Sequence, residues 1–182
     1  GVLLKKEDRL KESLLPMQEA ARLAPQDAEA HSNLGVTLKD LGRLEEAEAC
    51  FSEAIELSPE FAEAYNNSGN TLKDLGKPDQ AEERYKQAVA LKPDFAEAHS
   101  NLGVTLQELG KLGEAEVSIR QAITIKPDFA KAHYNLGNTL NEAGKLEEAA
   151  SSHRLAIEMK PDFVEAHCNL GVTLRSRGRF EE

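Results

Sequence analysis

Asparagine recurs at one fixed interval along the chain: Asn33, Asn67, Asn101, Asn135 and Asn169 are each 34 residues apart. A primary amide carries two N–H donors and two acceptor lone pairs, so it can pair with both the C=O and the N–H of an extended chain. Five such amides at a constant step would hold a peptide backbone with little regard for its side chains. At roughly 0.5–1.5 kcal/mol per net hydrogen bond, a ladder of this kind supports micromolar-scale affinity at best without side-chain pockets. Histidine follows the same interval at His31, His99, His133 and His167, which raises the question of metal ligation. Equivalent residues in stacked repeats lie about 10 Å apart, whereas zinc needs its ligands about 2 Å from the ion. Neighbouring histidines therefore cannot share an ion, and packing between paired helices is expected of them instead. Serine and histidine otherwise recur as ladders, with no unique constellation that would mark a catalytic site, so no enzyme activity, metal or cofactor is expected.

The interval belongs to the whole chain. Pro25, Pro59, Pro93, Pro127 and Pro161 keep the same spacing of 34, and such a period has to be resolved before any reading of domains. With proline at position 32 of the frame, complete units cover 28–61, 62–95, 96–129 and 130–163. Residues 1–27 fit from position 8 onward and residues 164–182 carry positions 1 to 19. The 182 residues thus form a single array with partial repeats at both ends and no insertion. Each unit reads as two helices. His99, Leu102, Gly103 and Leu106 make the i, i+3, i+4, i+7 stripe of the first. Asp94 with Glu97, and Asp162 with Glu165, are spaced as capping boxes at its start. Gly42, Gly76, Gly110, Gly144 and Gly178 stand where the first helix should end in a left-handed residue. The second helix carries Ala47, Phe51, Ala54 and Ile55 at matching spacing, and Pro59 stops it.

Glycine at position 8 (Gly35, Gly69, Gly103, Gly137, Gly171) lies inside the first helix, where it costs roughly 1 kcal/mol relative to alanine. Close approach of two helices would offset that, with Ala47, Ala81, Ala115 and Ala149 as the expected partners. Phe61, Phe95, Phe129 and Phe163 close each unit and are expected to pack between repeats, and His153 occupies a packing position that holds Phe51 and Tyr85 elsewhere. Hydrophobic residues make up 40% of the chain but aromatics only 5%, so the core is one of Ala, Leu and Val. The formal charge of -10 argues against the basic surface that nucleic acid or anionic lipid requires. No signal peptide or membrane-length apolar run is visible, so a soluble, cytoplasmic protein is expected. Cys50 and Cys168 are more than three repeats apart, too far for a bridge.

His31-x2-Leu34-Gly35-x2-Leu38, followed by Ala47-x3-Phe51 and Pro59, is similar to the tetratricopeptide repeat pattern, and the likeness covers the whole chain. Histidine or Tyr65 stands where that family usually has Trp, and Leu38, Leu72, Leu106, Leu140 and Leu174 replace its Tyr. Stretches such as Ala96-Glu97-Ala98-His99-Ser100-Asn101-Leu102 resemble the repeats of O-linked N-acetylglucosamine transferases. The resemblance implies an all-α solenoid, a right-handed superhelix of antiparallel helix-turn-helix repeats whose first helices line a concave, peptide-binding groove. It also implies a protein-interaction scaffold, with a protein or peptide partner.

On that geometry the groove would be lined by the asparagines of position 6, by position 9 with Asn70 and Asn138, and by position 12 with Lys39 and Lys73. Family members that grip the C-terminal carboxylate of chaperones carry Lys at position 5. This chain has Ser32, Asn66, Ser100, Tyr134 and Cys168 there, so that clamp is not expected. Two alternatives stand beside the scaffold: the substrate-recognition arm of a larger glycosyltransferase-like enzyme, and a self-assembling structural module. The second is motivated by the partial terminal repeats, through which Leu170, Val172 and Leu174 of one copy would pack head-to-tail on the N-terminal helices of the next.

Overall fold

The computed structural model describes the backbone of residues 2–180 and the side chains of residues 12–178. The described residues form ten α-helices and no strand. The first helices of the repeats are α2 (Ala28–Asp40), α4 (Ala62–Asp74), α6 (Ala96–Glu108), α8 (Ala130–Glu142) and α10 (Val164–Phe180). The second helices are α1 (Val2–Leu23), α3 (Leu44–Leu57), α5 (Pro78–Leu91), α7 (Leu112–Ile125) and α9 (Leu146–Met159). The chain divides into two compact units, residues 1–93 holding α1 to α5 and residues 94–182 holding α6 to α10. Within each unit every helix packs on the next, and successive first helices also touch: α2 with α4, α6 with α8, and α8 with α10.

The turn inside each complete repeat is made by glycine. Gly42, Gly76, Gly110 and Gly144 have φ between 72° and 76°, a region where any Cβ is penalised. In each, the next residue donates its N–H back five residues, as Arg43 does to Leu38 O at 2.9 Å and Lys145 to Leu140 O at 2.9 Å. This closes the last turn of the first helix and reverses the chain. The two partial repeats depart from the expectation. Asp8 stands at the turn position of the first, and α1 runs through it as one continuous helix. Gly178 is also helical, because α10 continues to Phe180.

The expected capping boxes do not form. Phe95, not Asp94, is the N-cap residue of α6, and it makes no side-chain cap; Phe61 and Phe129 behave alike. Asp94 contributes its backbone carbonyl instead, accepting from Ala96 N at 3.1 Å. The aspartate lies one residue too early. Asp27 occupies the phenylalanine's own position, and there its carboxylate accepts from Glu29 N and Ala30 N.

The close helix approach at position 8 is real; the Ala115 backbone oxygen meets Gly103 as expected, at 3.0 Å from a Cβ built there, but the closest group at each glycine is a larger side chain. A Cβ on Gly35 would lie 2.8 Å from Phe51 Cε1, and one on Gly69 would lie 2.7 Å from Tyr85 Cε1. Ile119 and His153 crowd Gly103 and Gly137 in the same way. Position 24 thus seats its large side chain directly on the glycine backbone, while Ala47, Ala81, Ala115 and Ala149 are enclosed around it. The cores follow: Leu34, Leu38, Ala47 and Phe51 in the first unit, and Ile119, Leu136, Leu140 and Ala149 in the second. Phe61 packs against Ala54, Ile55 and Ala64, and Phe129 against the second-unit cluster, as expected.

The position-4 histidines are also placed differently from expectation. Only His133 is buried, whereas His31 and His99 are partly buried and His167 is exposed. Their Nε2 atoms lie 3.3, 2.9 and 3.0 Å from the carbonyl oxygens of Pro25, Pro127 and Pro161. A carbonyl only accepts, so Nε2 carries the proton and each ring ties a first helix to the chain reversal that precedes it.

Candidate functional site

Threonine at position 10 fixes the backbone of every position-6 asparagine. Thr37, Thr71, Thr105, Thr139 and Thr173 are buried, and each donates its hydroxyl to the asparagine carbonyl four residues earlier, at 2.8–3.1 Å. A hydroxyl that back-bonds within its own helix needs no other partner when buried. Each asparagine therefore starts from a constrained point on its helix, and its side chain projects from there.

The amides have unequal surroundings. In the second unit, Asn135 is 6% exposed and its Nδ2 donates to Ser100 Oγ at 3.1 Å. Asn169 Nδ2 donates to Tyr134 Oη at 3.1 Å and to Asn138 Oδ1 at 2.8 Å. These bonds run from position 6 of one first helix to positions 5 and 9 of the preceding one, so Asn135, Asn138 and Asn169 join neighbouring helices. Gln107 reinforces the α6–α8 pair, donating to Glu142 at 2.8 Å and accepting from Thr139 at 3.0 Å. Asn101 is half-buried, with its carbonyl taken by Thr105.

In the first unit the amides of Asn33 and Asn67 have no hydrogen-bond partner among the described residues. Asn33 is exposed and Asn67 half-buried, at the same repeat position on the touching helices α2 and α4. Asn70 accepts from Tyr85 Oη at 2.7 Å, which fixes its carbonyl oxygen inward. Lys39 reaches across to Asp74, 3.1 Å away; this pair is largely solvated, so it adds little stability. Behind the strip, Glu48 accepts two contacts from Ser68 Oγ at 2.8 and 2.9 Å. Burial pushes the Glu48 carboxyl above its ordinary value, against the pull of Ser68 and of Arg84 at 3.9 Å.

Sequence reasoning missed the position-5 residues. Ser100 and Tyr134 are the acceptors that hold Asn135 and Asn169. Their signal lies in the polar occupants of that position, which sequence reasoning weighs only against a lysine clamp. Elsewhere the titratable groups are tied in surface pairs. Glu116 is held below the ordinary carboxylate range by its hydrogen bond from Lys145, with Arg120 adding to the effect. Among the described residues no group of His, Cys, Asp and Glu gathers that could hold a metal ion, and no helix is long and apolar enough to cross a membrane. Both cysteines are free thiols, Cys50 partly buried and Cys168 exposed.

Family profiles described as tetratricopeptide repeat match residues 28–61, 50–83, 96–129 and 119–150, and one described as TPR repeat matches 69–110 and 137–178. Among solved structures the chain is similar to YrrB, described as a TPR protein with an unusual peptide-binding site. That likeness has 27% identity over 90% of this chain and 84% of that one, with a TM-score of 0.73. It is also similar to MamA from Desulfovibrio magneticus RS-1, at 22% identity over 89% and 95% of the two chains and a TM-score of 0.76. A thermophilic TPR protein in Thermus thermophilus matches at 24% identity over 96% and 95%, with a TM-score of 0.73. The last two likenesses concern the fold alone. Comparison with curated protein sequences finds no match, and none of these findings bears on the likeness to glycosyltransferase repeats.

Proposed function

The chain belongs to the tetratricopeptide repeat family and is a protein-interaction scaffold; from that premise we propose that its first-helix face binds an extended segment of a partner protein, without catalysis, through asparagine amides. Asn33 and Asn67 are the backbone-pairing groups of the first unit. Each offers an N–H and a C=O to the main chain of the ligand, in the manner of an added strand whose side chains are read little. In the second unit Asn135 and Asn169 spend their N–H groups on neighbouring first helices, so they set the spacing of the face more than they grip the ligand. Lys39, Asn70 and Lys73 flank the contact in the first unit, and Asn101 and Asn138 are the candidates at positions 6 and 9 of the second.

The observation that carries this reading is the pair of amides on α2 and α4 that the fold leaves unused. An amide buried for structure is bonded internally, as Asn135 is. One kept exposed or half-exposed at the same repeat position is available to a ligand. The likeness to YrrB, itself described as having a peptide-binding site, supports a peptide as the ligand class. The test begins with an array of random-sequence peptides probed with the parental protein. Peptides so selected are then measured by calorimetry against the parental protein and the double variant Asn33→Ala/Asn67→Ala. A loss of about tenfold or more, with unchanged helical content, is expected. Equal affinity for both proteins would remove the asparagines from the interface.

A further inference from the structure

The repeat 130–163 breaks a charge pairing that the two repeats before it keep. In those repeats positions 2 and 31 carry opposite charges and meet: Lys92 Nζ lies 2.7 Å from Glu63 Oε1, and Lys126 Nζ lies 3.2 Å from Glu97 Oε1. In 130–163 the same two positions hold Lys131 and Lys160. Neither lysine has a hydrogen-bond or ion-pair partner among the described residues. Both line a pocket of about 440 Å³ in the second unit, between the starts of α8 and α10. Its walls include Tyr134 and Phe163, whose ring centroids lie 4.9 Å apart. Lys160 Nζ rests 5.2 Å from the Phe163 centroid, so the ring face steadies an ammonium that lacks its carboxylate. Tyr134 is anchored through its Oη, which accepts from Asn169 Nδ2 at 3.1 Å. Glu165 also lines the pocket, and it forms no ion pair with either lysine.

We propose that this pocket binds a glutamate side chain of a partner protein, its carboxylate bridged by Lys131 and Lys160. The two preceding repeats display the chemistry, because in each a position-31 ammonium donates to a glutamate carboxylate of its own chain. Where Lys131 replaces that glutamate, two like charges face one pocket with no anion to offset them. A carboxylate placed between them relieves the repulsion and gains charge-assisted hydrogen bonds from both sides. The rings of Tyr134 and Phe163 offer apolar surface to the carbon stem behind the carboxylate. A side chain is the occupant favoured over a chain end, since the group that the repeat has lost is itself a glutamate side chain. The site also differs from the clamp that grips a chain-end carboxylate through a position-5 lysine: Tyr134 occupies position 5, and Lys160 stands at position 31. With a formal charge of -10 on the whole chain, the lysine pair is a local feature that suits one acidic residue better than a long acidic run. The pocket shares no residue with Asn33 and Asn67, so either reading can fail alone.

The test is an NMR titration of the whole 182-residue protein at low salt with the blocked peptide acetyl-Gly-Leu-Glu-Leu-Gly-amide, following the side chains of Lys131, Lys160 and Tyr134. Saturable shifts of all three are expected, and the glutamine counterpart of the peptide should bind about tenfold more weakly or less. Lys131→Glu is the diagnostic variant. It restores the charge pattern of the two preceding repeats, so folding is retained, and its carboxylate occupies Lys160 and should weaken binding of the glutamate peptide at least about tenfold. Arg154→Glu changes the net charge equally at an exposed residue of α9 that does not line the pocket, and it should bind as the parental protein does. The proposal is overturned if the three side chains do not shift, if the glutamine peptide binds as well as the glutamate one, or if Lys131→Glu binds like the parent. Equal losses in Arg154→Glu and Lys131→Glu would also overturn it, by reducing the effect to overall charge. Stronger binding of acetyl-Gly-Leu-Gln-Leu-Gly with a free C-terminal carboxylate would overturn the assignment to a side chain.

Discussion

Gly137 lies beneath the imidazole of His153 so closely that a Cβ at that position would overlap the ring. His153 is 0% exposed, and neither ring nitrogen has a hydrogen-bond partner. The Tyr134 ring lies beside it, with ring centroids 5.8 Å apart. The equivalent pair Gly35 and Phe51 uses the same geometry with an apolar ring. Histidine therefore fills the space correctly and leaves its polar atoms unsatisfied.

His153→Phe is expected to stabilise the protein by about 1–3 kcal/mol, the usual cost of a buried polar group without a partner. The gain should grow in mild acid. Burial lowers the His153 pKa from its ordinary 6.5. Above that value the ring is neutral in both the folded and the unfolded chain, and its contribution does not change with pH. As pH falls through 6.5 the unfolded chain takes up a proton that the folded one refuses, so stability drops until the lowered folded value is reached. Urea unfolding of both proteins at pH 7.5 and at pH 5.5, values roughly a unit either side of an ordinary histidine pKa, checks the difference.

Glycine at position 8 should respond with opposite signs in the two settings. Gly137→Ala pushes a methyl group into the His153 ring and should cost about 1–3 kcal/mol through overpacking. Gly171→Ala meets no atom and removes a mid-helix glycine, so it should add about 0.5–1 kcal/mol. Thermal unfolding of the two single variants at low protein concentration separates them.

Asn33 and Asn135 share a repeat position and differ in their partners. Asn135→Ala takes the donor from Ser100 Oγ, which is buried at 1% exposure, and should destabilise by about 1–3 kcal/mol. Asn33→Ala removes an exposed amide without a partner and should change stability by less than about 0.5 kcal/mol. If the two losses proved equal in urea unfolding, the division of labour between the units would be wrong.

The caps give a third contrast. Asp27→Ala deletes two side-chain bonds to the first turn of α2 and should cost about 1 kcal/mol. Asp94→Ala deletes no side-chain cap, because Phe95 holds the cap position, and should cost less than about 0.5 kcal/mol. Amide exchange in the first turns of α2 and α6 reports each effect locally.

The period carried most of the fold. Proline and glycine set the limits of the helices in the complete repeats, and the four left-handed glycines lie where their spacing put them. What it hid was decided by neighbours or by one-residue register. Asp8 and Gly178 occupy the turn position yet lie in continuous helices. Asp94 and Asp27 differ by one place in the frame, and only the second reaches the free N–H groups. Small residues suggest mutual approach and point to Ala149 as the partner of Gly137, but the larger side chain at position 24 fills the space. The asparagines are visible as a series. Their division is not, because Asn135 and Ser100 are 35 residues apart and meet only when first helices stack.

The most direct test of the binding account is a backbone scan of a selected peptide. N-methylation of its amides one at a time removes single N–H donors, and alanine replacement removes side chains; both series are measured by calorimetry against the parental protein. Recognition by Asn33 and Asn67 predicts that methylation at two peptide positions weakens binding about tenfold each, and that alanine replacements have smaller effects. Affinity that is indifferent to every methylation but abolished by removing one side chain would contradict it.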